Sequence, residues 1–355
     1  MQMTRRTLLG TGTAIAAGTV LLAGPADAAA AMATPALRLP APTGPYPVGS
    51  VDLHLVDRRR TDPLAPTRRP RELMVRLWYP ARRSPGPLTP YLGPTLSRLL
   101  VGEINMLTDT DHPPDLLTFP TPGRTNAPRA AGTHPLVLFS PGRSTNAAFY
   151  TGLLTELASR GLVVAAIDHT FDAPVEFTDG RVELPPSDVD EATLLATRVA
   201  DVRFVLGRLG DRAAVVGHSL GSRTAIDAID QDHRFAAGIA IDGNPLGDAS
   251  LRAPFLLLGN QGHRRAEDPD WAAFYDRLRG PRRHLVVDGA EHHDFTDLTV
   301  FKATVDIGGV FELGPIDGRR ALAITRTFAT AWLTDRSAPL LCGESAQFPE
   351  VDFQP

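Results

Sequence analysis

The sequence predicts an α/β fold in which a mostly parallel central sheet is covered by helices on both faces. From residue 136 onward, short apolar runs alternate with segments of helical length and pattern, which is typical of strands joined by helical crossovers. With 43% of its 355 residues hydrophobic, the chain can also bury the large core that such a sheet requires. Ligands bind beyond the carboxyl ends of the strands in sheets of this kind, so we expect the functional residues in the loops that follow the strands.

Residues 1–31 are predicted to be a twin-arginine signal peptide rather than part of the fold. Arg5 and Arg6 precede a short, weakly apolar stretch at residues 8–22, and Ala-Asp-Ala at residues 26–28 offers a small-residue cleavage site. We therefore expect a bacterial protein that is exported in folded form and secreted, with a retained signal anchor as the alternative. Such export suits a chain whose one cysteine, Cys342, allows no internal disulfide.

Residues 32–355 are predicted to form one domain with an N-terminal extension. Residues 51–56 and 73–79 have the pattern of two strands, and a long proline-rich insertion lies at about residues 80–135. Within the insertion, five apolar residues recur at near-helical spacing: Leu96, Leu99, Leu100, Ile104 and Leu107. They predict a helix that packs on its own domain, and the alternatives are a lid over the site or a helix that contacts lipid.

The main sheet can be followed along the rest of the chain. Its strands are predicted at residues 136–139, 162–167, 213–216, 239–241, 255–258 and 285–287, with helices at 194–209 and 321–333. The small and β-branched residues of these runs are typical of strands that are buried on both faces.

Residues 217–221 read Gly-His-Ser-Leu-Gly and lie between the apolar run 213–216 and a helical segment at 223–229. A serine can project from the top of a sheet only where a strand turns sharply into a helix, and the two glycines remove side chains that would clash in that turn. This nucleophile elbow predicts the α/β-hydrolase fold, with Ser219 as the nucleophile. The alternative is an ordinary turn rich in glycine and serine.

A serine nucleophile requires a base and an acid that orients the base. His292 and His293 follow the run 285–287, where the base of an α/β-hydrolase is expected, and a paired-histidine metal site with Asp294 is the alternative. Asp242 directly follows the run 239–241 and is the predicted acid, because the run 255–258 ends in Gly-Asn-Gln without a carboxylate. The alternative for Asp242 is a loop cap.

Two backbone N–H groups are expected to form the oxyanion hole. One belongs to Leu220, the residue after the nucleophile, and the other to Arg143, in the turn after the run 136–139.

Several stretches together resemble the plasma-type platelet-activating factor acetylhydrolases and their bacterial relatives. They lie at residues 71–80, 136–142, 158–161, 167–169, 217–221, 235–242 and 289–295. The resemblance implies Ser219 as nucleophile, Asp242 as an acid placed one strand earlier than in most α/β-hydrolases, and His292 rather than His293 as base. It also implies a calcium-independent esterase that removes short or oxidised acyl groups from phospholipids. The chain departs from the family in the oxyanion turn, where Pro141-Gly142 replaces the usual His-Gly.

We therefore expect an exported serine esterase without cofactor or metal, acting on a small-molecule or lipid ester, with transient contact with a lipid surface as a further expectation. A cutinase- or polyester-type hydrolase, a general short-chain esterase and a catalytically silent lipid-binding protein are the alternatives. The formal net charge of −4 gives no basic surface for nucleic acid, so that class of partner is not expected. The oligomeric state is left open.

Overall fold

The computed structural model describes residues 37–355, and the predicted signal peptide lies outside them. The strands are β1 (Val48–Thr61), β2 (Pro70–Pro80), β3 (Leu88–Pro90), β4 (Pro120–Thr125), β5 (Leu136–Ser140), β6 (Val163–Asp168), β7 (Val175–Glu176), β8 (Val182–Glu183), β9 (Ala213–His218), β10 (Phe235–Ile241), β11 (Phe255–Asn260), β12 (Arg282–Val287) and β13 (Val351–Gln354). The helices are α1 (Pro94–Thr108), α2 (Thr151–Ser159), α3 (Glu191–Leu209), α4 (Leu220–Gln231), α5 (Pro269–Arg277), α6 (Leu298–Phe301) and α7 (Gly318–Thr334).

The predicted mostly parallel sheet is confirmed. Within residues 37–355, eleven strands form one sheet in the order β13-β12-β11-β10-β9-β5-β6-β2-β1-β4-β3, while β7 and β8 form a separate small hairpin. Six neighbouring strands of this sheet pair in parallel, namely β12, β11, β10, β9, β5 and β6. Strand β2 then pairs antiparallel with β6. The carboxyl ends of the six parallel strands therefore meet at one edge of the sheet, which is where the sequence predicts the functional residues.

Alternate residues of the central strands enter two separate cores. In β5, Val137 and Phe139 belong to the core beneath α2 and α7, whereas Leu138 belongs to the core beneath α3, α4 and α5. All three side chains are fully buried. Because both faces of the sheet are covered, the strands need no polar face, and this is why they appear in the sequence as continuous apolar runs.

The insertion contributes more regular structure than its proline content indicates. Besides the predicted helix, now α1, it holds β3 and β4, which extend the sheet beyond β1. Helix α1 buries Leu96, Leu100 and Ile104 and exposes Leu99 and Leu107, so its apolar stripe divides between the core and the surface.

The far edge of the sheet is formed by β13, which pairs antiparallel with β12 and was not predicted. Only four residues form this strand, too few for a pattern to distinguish it from a loop. Within residues 37–355, no helix combines the length and the apolar character that crossing a membrane requires.

Candidate active site

The elbow between β9 and α4 places Ser219 in a strained backbone conformation. Its φ of 55° and ψ of −123° are rare for a residue with a side chain. A Cβ atom on Gly217 would lie 1.9 Å from the carbonyl oxygen of Gly221, and one on Gly221 would lie 2.0 Å from that of Ser140. Both glycines are therefore required by close backbone approach, as the sequence predicts.

Ser219 occupies the N-cap position of α4, yet its side chain makes no capping hydrogen bond. A serine at this position normally accepts a hydrogen bond from the first helical turn. The hydroxyl is thus left free for another partner. The N–H of Leu220 opens the helix and belongs to the backbone donors that have no partner within it. The geometry leaves both groups available at the carboxyl edge of the sheet.

Asp242 and His292 are brought together by the ends of β10 and β12. His292 Nδ1 lies 2.6 Å from Oδ2 of Asp242. The Asp242 carboxylate is fully buried and also accepts the backbone N–H of Asn260 on Oδ1 at 2.6 Å, while the Asn260 side-chain amide donates to Oδ2 at 3.2 Å. Asn260 has no charge with which to serve as the acid, but its two hydrogen bonds hold the Asp242 carboxylate in place.

The charge of Asp242 changes the proton affinity of His292. Burial lowers the pKa of His292, but the hydrogen bond and the negative charge of Asp242 outweigh it and raise the pKa above 6.5. In the opposite direction, burial raises the pKa of Asp242, and the contact with His292 together with the neighbouring histidines brings it below the ordinary value. Asp242 therefore remains ionised at neutral pH and stabilises the protonated form of His292.

His263 lies beside the same carboxylate. Its Nε2 is 3.6 Å from Oδ1 of Asp242, and its Nδ1 is 2.7 Å from Asp268 Oδ2. The ring stacks on Trp271 with centroids 4.1 Å apart. Asp242 is thus flanked by two imidazoles, of which His292 has the shorter contact.

The turn after β5 is held from behind by Arg198, a fully buried residue of α3. Its guanidinium donates to the carbonyl oxygens of Pro141 at 2.7 Å and Gly142 at 2.8 Å, and it pairs with Asp172. In the same turn, the N–H of Gly142 donates to Tyr150 and the N–H of Ser144 donates to Asp172, which leaves the N–H of Arg143 as the donor that the turn can offer. A charged residue in the middle of an amphipathic helix was the available sequence signal for Arg198, and it was missed.

His218, inside the elbow, links the oxyanion turn to the loop of His292. Tyr150 accepts the N–H of Gly142 at 3.1 Å, and its hydroxyl lies 2.8 Å from His218 Nδ1. His218 Nε2 lies 3.0 Å from the carbonyl oxygen of His292. Burial is the main cause that lowers the pKa of His218 to about 3, so the ring is neutral. A neutral ring satisfies both contacts only as the Nε2–H tautomer, with the hydroxyl of Tyr150 donating to Nδ1.

The paired-histidine metal site considered from the sequence is not assembled. Asp294 instead accepts hydrogen bonds from the Thr299 hydroxyl and the Lys302 ammonium group. His293 Nδ1 accepts the backbone N–H of Glu312 at 3.2 Å. Among the described residues, the one group of side chains close enough to share a metal ion is His218, Asp242 and His292. Both ring nitrogens of His218 and Nδ1 of His292 already have the partners given above, so this group has the hydrogen bonds of an acid–base pair.

All three predicted triad residues line one cavity of about 390 Å³. The cavity is lined by Arg143, Glu191, Leu195, Ser219, Leu220, Arg223, Asp242, Gly243, Asn244, Leu246, His263 and His292. The nucleophile candidate, the base candidate and the residues of both oxyanion donors therefore border the same space, which is large enough for a small ester.

The fold is similar to that of a known esterase. The solved structure of a ferulic acid esterase from Streptomyces cinnamoneus is similar, with a TM-score of 0.80 and 34% identity over 90% of this chain and 99% of that chain. The fold, the elbow and the esterase relatives define the protein as a carboxylic ester hydrolase of the α/β-hydrolase fold.

The family model described as "Platelet-activating factor acetylhydrolase, isoform II" matches residues 31–178 and 205–338. The chain belongs to this family. A probable 1-alkyl-2-acetylglycerophosphocholine esterase of Arthroderma benhamiae is 28% identical over 95% of this chain and 98% of its own length. A platelet-activating factor acetylhydrolase of Cavia porcellus is 25% identical over 83% of this chain and 77% of its own length.

The pH dependence of kcat/KM tests the choice of His292 over His293. Only a neutral imidazole can take a proton, so activity should fall as the pH drops through the raised pKa of His292, with half of the plateau reached above pH 6.5. His293→Gln should keep this profile, because His293 contacts a backbone amide rather than Asp242. Loss of the acid limb in His293→Gln, or a midpoint well below pH 6, would contradict the choice.

Proposed function

We propose that this protein is an exported serine esterase that removes short acyl groups from phospholipid-like or other small esters. Ser219 is the nucleophile, His292 the base and Asp242 the acid that orients it. The observation that carries the proposal is the 2.6 Å contact between His292 Nδ1 and Asp242, in a cavity shared with the strained Ser219.

The chemistry follows from the order of these groups. Because Nδ1 of His292 donates to Asp242, its Nε2 carries the lone pair that accepts the hydroxyl proton as Ser219 attacks the ester carbonyl. The N–H groups of Leu220 and Arg143 stabilise the oxyanion, and the imidazolium returns its proton to the leaving alcohol. Water, activated by the same imidazole, then hydrolyses the acyl-enzyme.

Three observations support a short acyl group and a small or lipid ester. The cavity of about 390 Å³ suits a compact substrate and has apolar walls from Leu195, Leu220 and Leu246. One relative bears a name that specifies an acetylated glycerophosphocholine. The exposed Leu99, Met106 and Leu107 of α1 support transient contact of this helix with a lipid surface. Export rests on the predicted twin-arginine segment alone.

Hydrolysis of 4-nitrophenyl esters of increasing chain length, beside acetylated and long-chain phospholipids, tests the substrate class. We expect kcat/KM to be highest for acetate to butyrate and to fall by at least tenfold for chains of about twelve carbons, since the cavity offers limited apolar volume. EDTA should have no effect. A preference for long-chain triglycerides, or activity lost in EDTA and restored by calcium, would contradict the proposal.

Contact of α1 with a lipid surface is tested by comparing hydrolysis of acetylated phospholipid presented as monomers and in vesicles. The variant Met106→Ser should slow only the reaction in vesicles.

A second candidate, hydrolysis of aromatic acid esters, is favoured by the similarity to the Streptomyces cinnamoneus enzyme. Methyl ferulate in the same series distinguishes the two. Turnover of methyl ferulate faster than that of butyrate esters would favour the second candidate, and both reactions require the same Ser219.

A further inference from the structure

Two arginines line the same cavity as Ser219. Arg143 carries a predicted oxyanion donor on its backbone and has a half-exposed side chain, and Arg223 follows the nucleophile by four residues in α4. Neither side chain has a role in the ester chemistry described above. The proposed mechanism thus leaves two positive charges in the cavity unexplained.

Arg223 has hydrogen-bond donors to spare. Its Nε donates to Asp227 at 2.7 Å, and within residues 37–355 its two terminal nitrogens make no hydrogen bond to the protein. The guanidinium lies against the backbone of Gly247, where a Cβ atom would come within 2.9 Å of Nη2. The side chain therefore packs against the loop at Gly247, and its terminal nitrogens keep N–H donors that Asp227 does not use.

The position of Arg223 is electrostatically unfavourable for the free protein. It lies close to the N-terminus of α4, where the helix dipole adds positive potential and where acidic residues are normally preferred. The first turn of α4 contains no acidic residue. An anion at this end of the helix would be attracted by the dipole, by unpaired backbone N–H groups and by Arg223 together.

Arg143 is only loosely engaged. Its Nη1 lies 3.4 Å from Glu191 Oε2, and the two side chains are 49% and 64% exposed. A long, solvent-exposed pair of this kind is weak and is readily exchanged for a better partner. Of the two carboxylates that line the cavity, Asp242 is already bound to His292, so Glu191 is the one that opposes an incoming anion.

We propose that Arg143 and Arg223 form an anion subsite beside Ser219, which selects esters carrying a carboxylate or phosphate group a few bonds from the scissile bond. This inference rests on the proposed esterase function and specifies the substrate class of the same site. A guanidinium recognises both anions through paired N–H donors. The anionic group can belong to the acyl part or to the alcohol part of the ester, and these are distinguished below.

Pairs of anionic and neutral esters test the subsite. On the acyl side, the 4-nitrophenyl monoester of adipic acid is compared with the 4-nitrophenyl ester of 6-methylheptanoic acid. On the alcohol side, the acetate ester of glycerol 3-phosphate is compared with that of glycerol 3-methyl ether. We expect the anionic ester of at least one pair to have a kcat/KM about tenfold higher, with this advantage decreasing as salt is added. The pair that shows it identifies the part of the substrate that carries the anion.

Variants assign the effect to the arginines. Arg223→Gln should reduce the anionic-to-neutral ratio of kcat/KM by about tenfold, the loss expected for a charge-assisted contact. Glu191→Gln should raise the ratio, because it removes the opposing charge. Asp227→Asn keeps the arginine and breaks its pair, so the ratio should not fall. Arg208→Gln, an exposed position of α3 outside the cavity, should leave the ratio and the neutral rate unchanged.

The inference and the proposed function fail in different ways. No anionic preference in either pair, an unchanged ratio in Arg223→Gln, or an equal loss in Asp227→Asn or Arg208→Gln would overturn the subsite even if neutral esters are hydrolysed. Absence of any ester turnover that depends on Ser219 would instead overturn the proposed function.

Discussion

Replacing Ser219 by alanine is expected to lower kcat for ester hydrolysis by about five to six orders of magnitude. In the proposed mechanism the hydroxyl oxygen forms the covalent bond to the acyl group, and without it only substrate binding and the proposed oxyanion donors would assist attack by water. The unmodified protein should also be labelled once by an alkyl fluorophosphonate, at Ser219, as mass spectrometry of the peptides can show.

The Ser219→Ala protein should stay folded. The backbone strain at this position is imposed by the packing of Gly217 and Gly221 and not by the hydroxyl, which makes no capping bond. We expect the Tm to change by only a few degrees. Ser222→Ala is the matched control, because Ser222 is buried three residues away and its hydroxyl is hydrogen-bonded to the carbonyls of Gly217 and Ile241. Stoichiometric labelling of a serine other than Ser219 would show that the nucleophile is misassigned.

Asp242→Asn is expected to lower kcat by about three to four orders of magnitude with little change in KM, by analogy with the aspartate-to-asparagine change in the serine proteases. The substituted amide can donate to His292 Nδ1, which shifts the ring proton to Nε2. The ring then cannot accept the proton of Ser219. Because substrate contacts are left in place, the loss appears in the chemical step.

Asp268 and Asp270 provide the matched controls for Asp242. Asp268 is the N-cap of α5 and contacts His263, while Asp270 lies in the first turn of that helix. Neither carboxylate has a hydrogen bond to His292 within the described part of the chain. Asp268→Asn and Asp270→Asn should each change kcat by less than about tenfold, with a lower Tm for Asp268→Asn from the weakened cap. Near-normal turnover in Asp242→Asn, with loss in one of the other two, would move the acid to the loop after β11.

Local sequence patterns predicted those elements of the fold whose structure is decided by residues close to one another along the chain. The apolar runs of β5, β6 and β9 to β12 were found because burial on both faces leaves them no polar side. The short edge strand β13 and the strands of the insertion were missed. Their pairing depends on partners elsewhere in the chain, which periodicity does not reveal.

The candidate site divides in the same way. The sequence determined which residue types stand at the carboxyl ends of strands, and this led to the prediction of Ser219, Asp242 and His292 as a triad with Leu220 and Arg143 as oxyanion donors. It could do so because a sharp strand-to-helix turn needs glycines at particular positions, and because parallel strands must end at one edge.

Only the tertiary structure decided what supports these groups. Arg198 binds the carbonyl of Pro141, which is 57 residues away, and Asn260 binds Asp242 across 18 residues. His218 reaches the carbonyl of His292 over 74 residues. Such contacts depend on how helices and loops pack over the sheet, and a buried polar side chain takes whichever partner that packing brings within hydrogen-bond distance.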